Sequence, residues 1–119
     1  MKLQIQGQNL RFRVDETELE RLLSGESLDN RTDLGEQGAF AQTITLHAQA
    51  DAELQSSTSG WRVLLPVLTV RDYVTRLPCR DALTFQIRAD PAPGLQLKFE
   101  VDVRDSVRRR GVPGTRPEK

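Results

Sequence analysis

Only one cysteine, Cys79, stands among the 119 residues, so no disulfide can form within the chain. A lone thiol suits a reducing compartment, and a cytoplasmic location is the expectation. Aromatic residues make up 5% of the chain, which leaves Leu, Val, Ile and four Phe to build the core. No stretch approaches the roughly 18 apolar residues of a membrane-spanning helix. The opening residues lack the apolar segment and cleavage site of a secretory leader, so no membrane role is expected. Nor does either charge dominate: 17 basic and 17 acidic residues cancel, which argues against a body that grips nucleic acid by bulk charge. Phosphate-binding glycine loops, dinucleotide fingerprints, nucleophile elbows and zinc-ligand spacings are all missing.

The charge is nevertheless unevenly placed. Residues 104–119 carry six basic groups against two acids, and the preceding 103 residues carry 11 against 15. A mildly acidic body is expected at 1–105 as one α+β domain, with a basic, disordered tail at 106–119.

What the chain does have is alternation. In "KLQIQGQNLRFRV" (2–14), a two-residue loop at Gly7-Gln8 aligns Ile5 with Leu10 and Leu3 with Phe12 on one face. Gln4 then meets Arg11 and Lys2 meets Arg13 on the other. Glycine first in the loop is what a type II′ turn requires, because φ must be positive there. Asp15 and Glu18 make a capping-box pattern, Val14 and Leu19 a hydrophobic staple, and Gly25 a C-terminal stop, so a helix is expected at 16–24.

Beyond it the pattern predicts a polar strand at 26–32, a turn at 33–38 and a strand at 39–48 bearing Phe40, Ile44 and Leu46. A hairpin follows over 52–57 and 60–65. Val67, Val70, Val74 and Leu77 recur at helical spacing between Pro66 and Pro78, which places a second helix at 67–76. The last hairpin turns at "DPAPG", with Ile87 expected opposite Leu97 and Phe85 opposite Phe99. The order ββαββββαββ implies a twisted, largely antiparallel sheet or partly closed barrel of about eight strands with two short helices.

Met1, Lys2, Leu3, Ile5, Gly7, Leu10, Arg11 and Arg13 match a pattern M-K-[apolar]-x-I-x-G-x-[apolar]-R-x-R. Glu18, Leu19, Gly25, Arg31-Thr32 and the later "WRVLLP" continue the match. On these residues the chain resembles a family of short, uncharacterised bacterial proteins with a domain of unknown function. The resemblance supports the fold and implies no activity.

Candidate chemistry is sparse. His47 is the only histidine and has no Cys, Asp or Glu at ligand spacing, so a solvent-facing strand residue is the favoured reading. Arg80 stands beside Cys79, but no motif makes that thiol a nucleophile. Trp61 reads as a core or edge residue. More suggestive are the charges opposite the apolar strand faces: Lys2, Arg11, Arg13, Arg62, Arg88 and Lys98, with Glu100 and Asp102. Facing into a barrel, they would line a cationic tunnel with a Glu-x-Asp pair able to hold a divalent ion, which is the logic of a triphosphate hydrolase. Gln4 and Gln6 stand where such a site needs carboxylates, so a solvated face of mixed charge is favoured. Arg108, Arg109 and Arg110 could give the tail weak polyanion contact.

No metal or cofactor is expected. The favoured function is a non-enzymatic intracellular interaction or assembly module, working through a protein partner or as a homo-oligomer. The alternative is a phosphate-compound-binding or hydrolysing barrel.

Overall fold

The first alternation resolves into β1 (Lys2–Gln6) and β2 (Asn9–Asp15), aligned with Ile5 opposite Leu10 and Leu3 opposite Phe12. Gly7 has φ +56°, and no described residue other than glycine has a positive φ, so Gln8 fits a type II′ rather than a type I′ turn. A Cβ on Gly7 would meet nothing within 4 Å, so a side chain there is opposed by backbone conformation alone. Replacing Gly7 with Val should therefore cost about 1–3 kcal/mol. A urea midpoint equal to that of the wild type would show that the turn relaxes freely.

The computed structural model describes residues 1–78, 81–89 and 92–103. After β2 come α1 (Glu16–Leu23), β3 (Leu28–Asp33), a short 3-10 turn at Gly35–Gln37, β4 (Ala39–His47), β5 (Glu53–Ser57) and β6 (Gly60–Pro66). The chain continues with α2 (Val67–Val74), β7 (Leu83–Ala89) and β8 (Ala92–Asp102). Helix α1 begins as its sequence demands: Asp15 accepts from the Glu18 amide at 2.7 Å, and Glu18 accepts from the Asp15 amide at 3.0 Å.

The strands do not join into one sheet or a barrel. They form two open four-stranded sheets, in the orders β1-β2-β8-β7 and β3-β4-β6-β5. Four of the six pairings are antiparallel, but β2 runs parallel to β8 and β4 parallel to β6, so each sheet is mixed. The fold is α+β, with a parallel pair at the centre of each sheet and hairpins on its flanks.

The last hairpin also differs from expectation. Ile87 lies opposite Leu95, Phe85 opposite Leu97 and Leu83 opposite Phe99, a slip of two residues. A slip of two keeps every side chain on its face, so alternation could not detect it. Charge does not choose between the two alignments either, because the observed one sets Thr84 against Lys98 and Gln86 against Gln96, with no like charges opposed. Ala92–Gly94, expected in the turn, belong to β8. The ladder jumps between Ile87 and Ala89, opposite Pro93-Gly94, where proline has no N–H to donate. Gln8 anchors this start of β8: its side-chain amide donates to the Gly94 carbonyl at 3.1 Å, and its own carbonyl accepts from the Gln96 amide at 2.8 Å.

The two sheets share one apolar core. Leu10, Phe12, Val14, Leu97, Phe99 and Val101 from the first meet Leu28, Ile44, Val63 and Leu65 from the second. Phe12 and Trp61 bridge the sheets edge to face at 6.1 Å between ring centroids. Leu19 and Leu22 of α1, and Val70 and Tyr73 of α2, complete the core. The Tyr73 hydroxyl donates to the Asp81 carbonyl at 3.0 Å, which satisfies the one polar atom that its burial would otherwise strand.

A two-fold repeat underlies this arrangement. Each pairing in β1/β2 recurs in β5/β6 51 positions later, so that Asn9 corresponds to Gly60. The pairings in β3/β4 recur in β7/β8 55 positions later, as far as the bulge. The parallel pair β2/β8 maps onto β6/β4 throughout, with Phe12 beside Phe99 corresponding to Val63 beside Ile44. The chain is thus two ββαββ units that exchange hairpins, and each sheet takes one hairpin from each unit.

Candidate interaction face

Burial of Leu10, Phe12, Val14, Leu97, Phe99 and Val101 forces the alternate residues of β2 and β8 onto the outside of the first sheet. Arg11 lies beside Lys98, and Arg13 beside Glu100. Across the hairpin, Lys2 stands opposite Arg13 and Gln4 opposite Arg11. The expected charges Arg11, Arg13, Lys98 and Glu100 therefore do come together, on an open outer face and not around a lumen. The tunnel is ruled out by that geometry, since the side of the sheet that faces the core is apolar.

Glu100 organises the cluster. Its Oε1 lies 3.1 Å from Arg13 Nη2 and 3.8 Å from Arg11 Nη1, and Arg13 Nε also donates to it at 3.2 Å. The Glu100 side chain is 16% exposed and those of Arg11 and Arg13 43% and 42%, so the acid sits beneath a cationic rim. A carboxylate so engaged is poorly placed to serve as a metal ligand. Lys2 and Lys98 make no ion pair among the described residues. Arg11 and Lys98 line a shallow depression of about 380 Å³ with Gln4, Gln6 and Asn9, whose amides offer both donors and acceptors. Asp15 opposite Asp102 bounds the face at the far end of the two strands.

The remaining candidates fall elsewhere. Arg62 projects from the outer face of the second sheet, away from the cluster it was grouped with. Arg88 lies in β7 at the bulge, and its side chain is outside the described residues, as are Cys79, Arg108, Arg109, Arg110 and the whole span 106–119. His47 Nε2 is hydrogen-bonded to the Asp51 carbonyl at 2.8 Å in a turn. Among the described residues no group of three or more His, Cys, Asp or Glu side chains is arranged to hold a metal. No helix of the structure is long and apolar enough to cross a membrane.

Sequence reasoning passed over one polar group in the core. Gln42 is buried on the apolar face of β4, where its side-chain carbonyl accepts from the Asn30 amide at 3.1 Å. Its position between Phe40 and Ile44 in the alternation was the available signal. That bond gives the buried Gln42 carbonyl a partner on the neighbouring strand, which makes the pair part of the scaffold.

No curated protein matches the chain. A family model described as a family of unknown function, DUF7009, matches residues 1–104, which takes in both ββαββ units and every residue of the cationic face. The chain belongs to that family.

Proposed function

We propose that the protein is a non-catalytic interaction module that works in the reducing interior of a bacterial cell. In this reading it docks an acidic protein surface on the outer face of its first sheet. One observation carries the reading: Arg11 and Arg13 share a single, largely covered carboxylate on an open sheet face, with Lys98 beside Arg11 and Lys2 opposite Arg13. Glu100 holds the Arg13 guanidinium by hydrogen bonds and attracts that of Arg11 before any partner arrives, which lowers the ordering cost of binding. The flanking amides of Gln4, Gln6 and Asn9 suit hydrogen bonding to a protein surface. A flat, cationic surface of this kind contributes mainly to association rate and selectivity.

The test reverses charge while leaving the Arg11–Glu100–Arg13 group intact. The double variant Lys2→Glu with Lys98→Glu should fold as the wild type does and lose at least about tenfold in affinity for the partner recovered with the wild type from native cells. Binding by the wild type should weaken as salt rises. Equal recovery of the same partner by both proteins would remove this face from the function.

A further inference from the structure

We propose that the outer face of the second sheet carries a separate binding site for a phosphoryl group, centred on Arg62. The two-fold repeat is what exposes it. Arg62 occupies in the second unit the position that Arg11 occupies in the first, with Thr43 in place of Lys98 and Thr45 in place of Glu100. The carboxylate that engages Arg11 therefore has no counterpart beside Arg62, which makes no ion pair among the described residues. Two acids share this face and neither is ion-paired with Arg62: Glu53, two residues along β5 from Gln55, which stands opposite Arg62, and Asp29, which lies beyond Thr43 on the next strand and accepts from the Thr43 hydroxyl at 2.8 Å.

Around Arg62 the surface is hollow. A depression of about 270 Å³ is lined by Thr43, Gln55, Ser56, Ser59 and Arg62, with backbone at Gly60 and the small Ala41 in place of larger side chains. That volume is below the roughly 300–1,000 Å³ of sites for drug-sized ligands, so it suits a small group. Hydrogen bonds already made narrow the chemistry. The Thr43 proton is committed to Asp29, and the Ser57 hydroxyl donates to the Gly60 carbonyl at 3.2 Å. The Arg62 fork, the Gln55 amide and the Ser59 hydroxyl remain to donate. They approach from β6, from β5 and from the turn between them. A carboxylate uses a planar, bidentate fork, whereas a phosphoryl group has three terminal oxygens and can meet donors from several directions. The site therefore takes phosphate or a phosphomonoester in preference to a carboxylate. It stands independently of the interaction face on the first sheet.

The experiment titrates the full chain with inorganic phosphate, O-phosphoserine or acetate at matched ionic strength, reading backbone amide resonances. Phosphate should produce saturable shifts at Ser57, Ser59, Gly60 and Arg62 with a millimolar or tighter midpoint. Arg62→Gln should weaken that response at least tenfold, while Arg71→Gln, at an exposed position of α2, should not. Tighter binding of O-phosphoserine than of phosphate would assign the site to a peptide-borne phosphate, and the reverse order to the free ion. Absence of saturation in the wild type, equal shifts with acetate, or an unchanged response in Arg62→Gln would each overturn the proposal. Should Arg62→Gln fail to fold, the comparison of phosphate with acetate on the wild type decides the matter alone.

Discussion

Replacing Gly60 with Ala should destabilise the protein by at least about 3 kcal/mol, a large share of the stability of a domain this size. Gly60 opens β6 at φ +149°, between Ser57 of β5 and Ala41 of β4. A Cβ built there would lie 1.8 Å from the Ala41 carbonyl oxygen and within 3 Å of its carbon and nitrogen. These are backbone atoms of a central strand, so no rotamer change can relieve the clash. The neighbouring amide of Ala41 donates to Ser59 at 2.9 Å, and that bond would have to break if β4 withdrew. Chemical denaturation followed by circular dichroism measures the cost. A loss under about 1 kcal/mol, or the gain of about 0.5–1 kcal/mol that a Gly→Ala exchange brings inside an ordinary helix or strand, would mean that the strands separate there without penalty.

Phe12→Ala is expected to cost about 3–5 kcal/mol, through lost burial and the cavity left behind. Phe12 has no exposed surface, pairs in register with Phe99, and meets Trp61 edge to face. Because Trp61 is the only tryptophan, its emission should also shift to the red as water reaches the vacated space. Ile5→Ala provides the contrast. Ile5 has the same parity in the same hairpin but is 60% exposed at the sheet edge, so its truncation should cost within about 0.5 kcal/mol. If the two variants lost similar stability, the core would be wrongly placed.

That contrast shows where the sequence is legible. Alternation in β1 and β2 specifies which residues share a face, and the Gly7-Gln8 turn specifies their alignment, because both depend on neighbours in the chain. The cap of α1 is local in the same sense. How deeply each apolar residue is buried depends on what lies beside the hairpin, which local periodicity does not encode. The parallel union of β2 with β8 is such a case, and it decides whether Arg11 and Arg13 face a lumen or solvent.

The alignment of β7 with β8 was nevertheless within reach. Leu28 and Ile44 are equivalent to Leu83 and Phe99, so β3/β4 supplies the alignment that alternation leaves open. The repeat is hard to see because it conserves polarity more than residue identity, with Leu22 standing for Tyr73 and Ile44 for Phe99. Arg62 does stand opposite an apolar face, as the alternation of its strand implies. Its separation from the other cations follows from the division into two sheets, which no local feature announces.

The exchange of hairpins between the two units has a consequence for the order in which the molecule can be assembled. Phe12 and Phe99 of the first sheet are 87 residues apart, whereas Ile44 and Val63 of the second are 19 apart. Closing the longer loop costs about 1.4 kcal/mol more in chain entropy, so the inner hairpins have the cheaper route to a sheet. The outer pair can meet only when β8 is available to join β2. Glu100 arrives with β8, so until then Arg11 and Arg13 lack the carboxylate that orients them. The cationic face is consequently a property of the completed chain alone, and a partner that selects it selects fully folded protein.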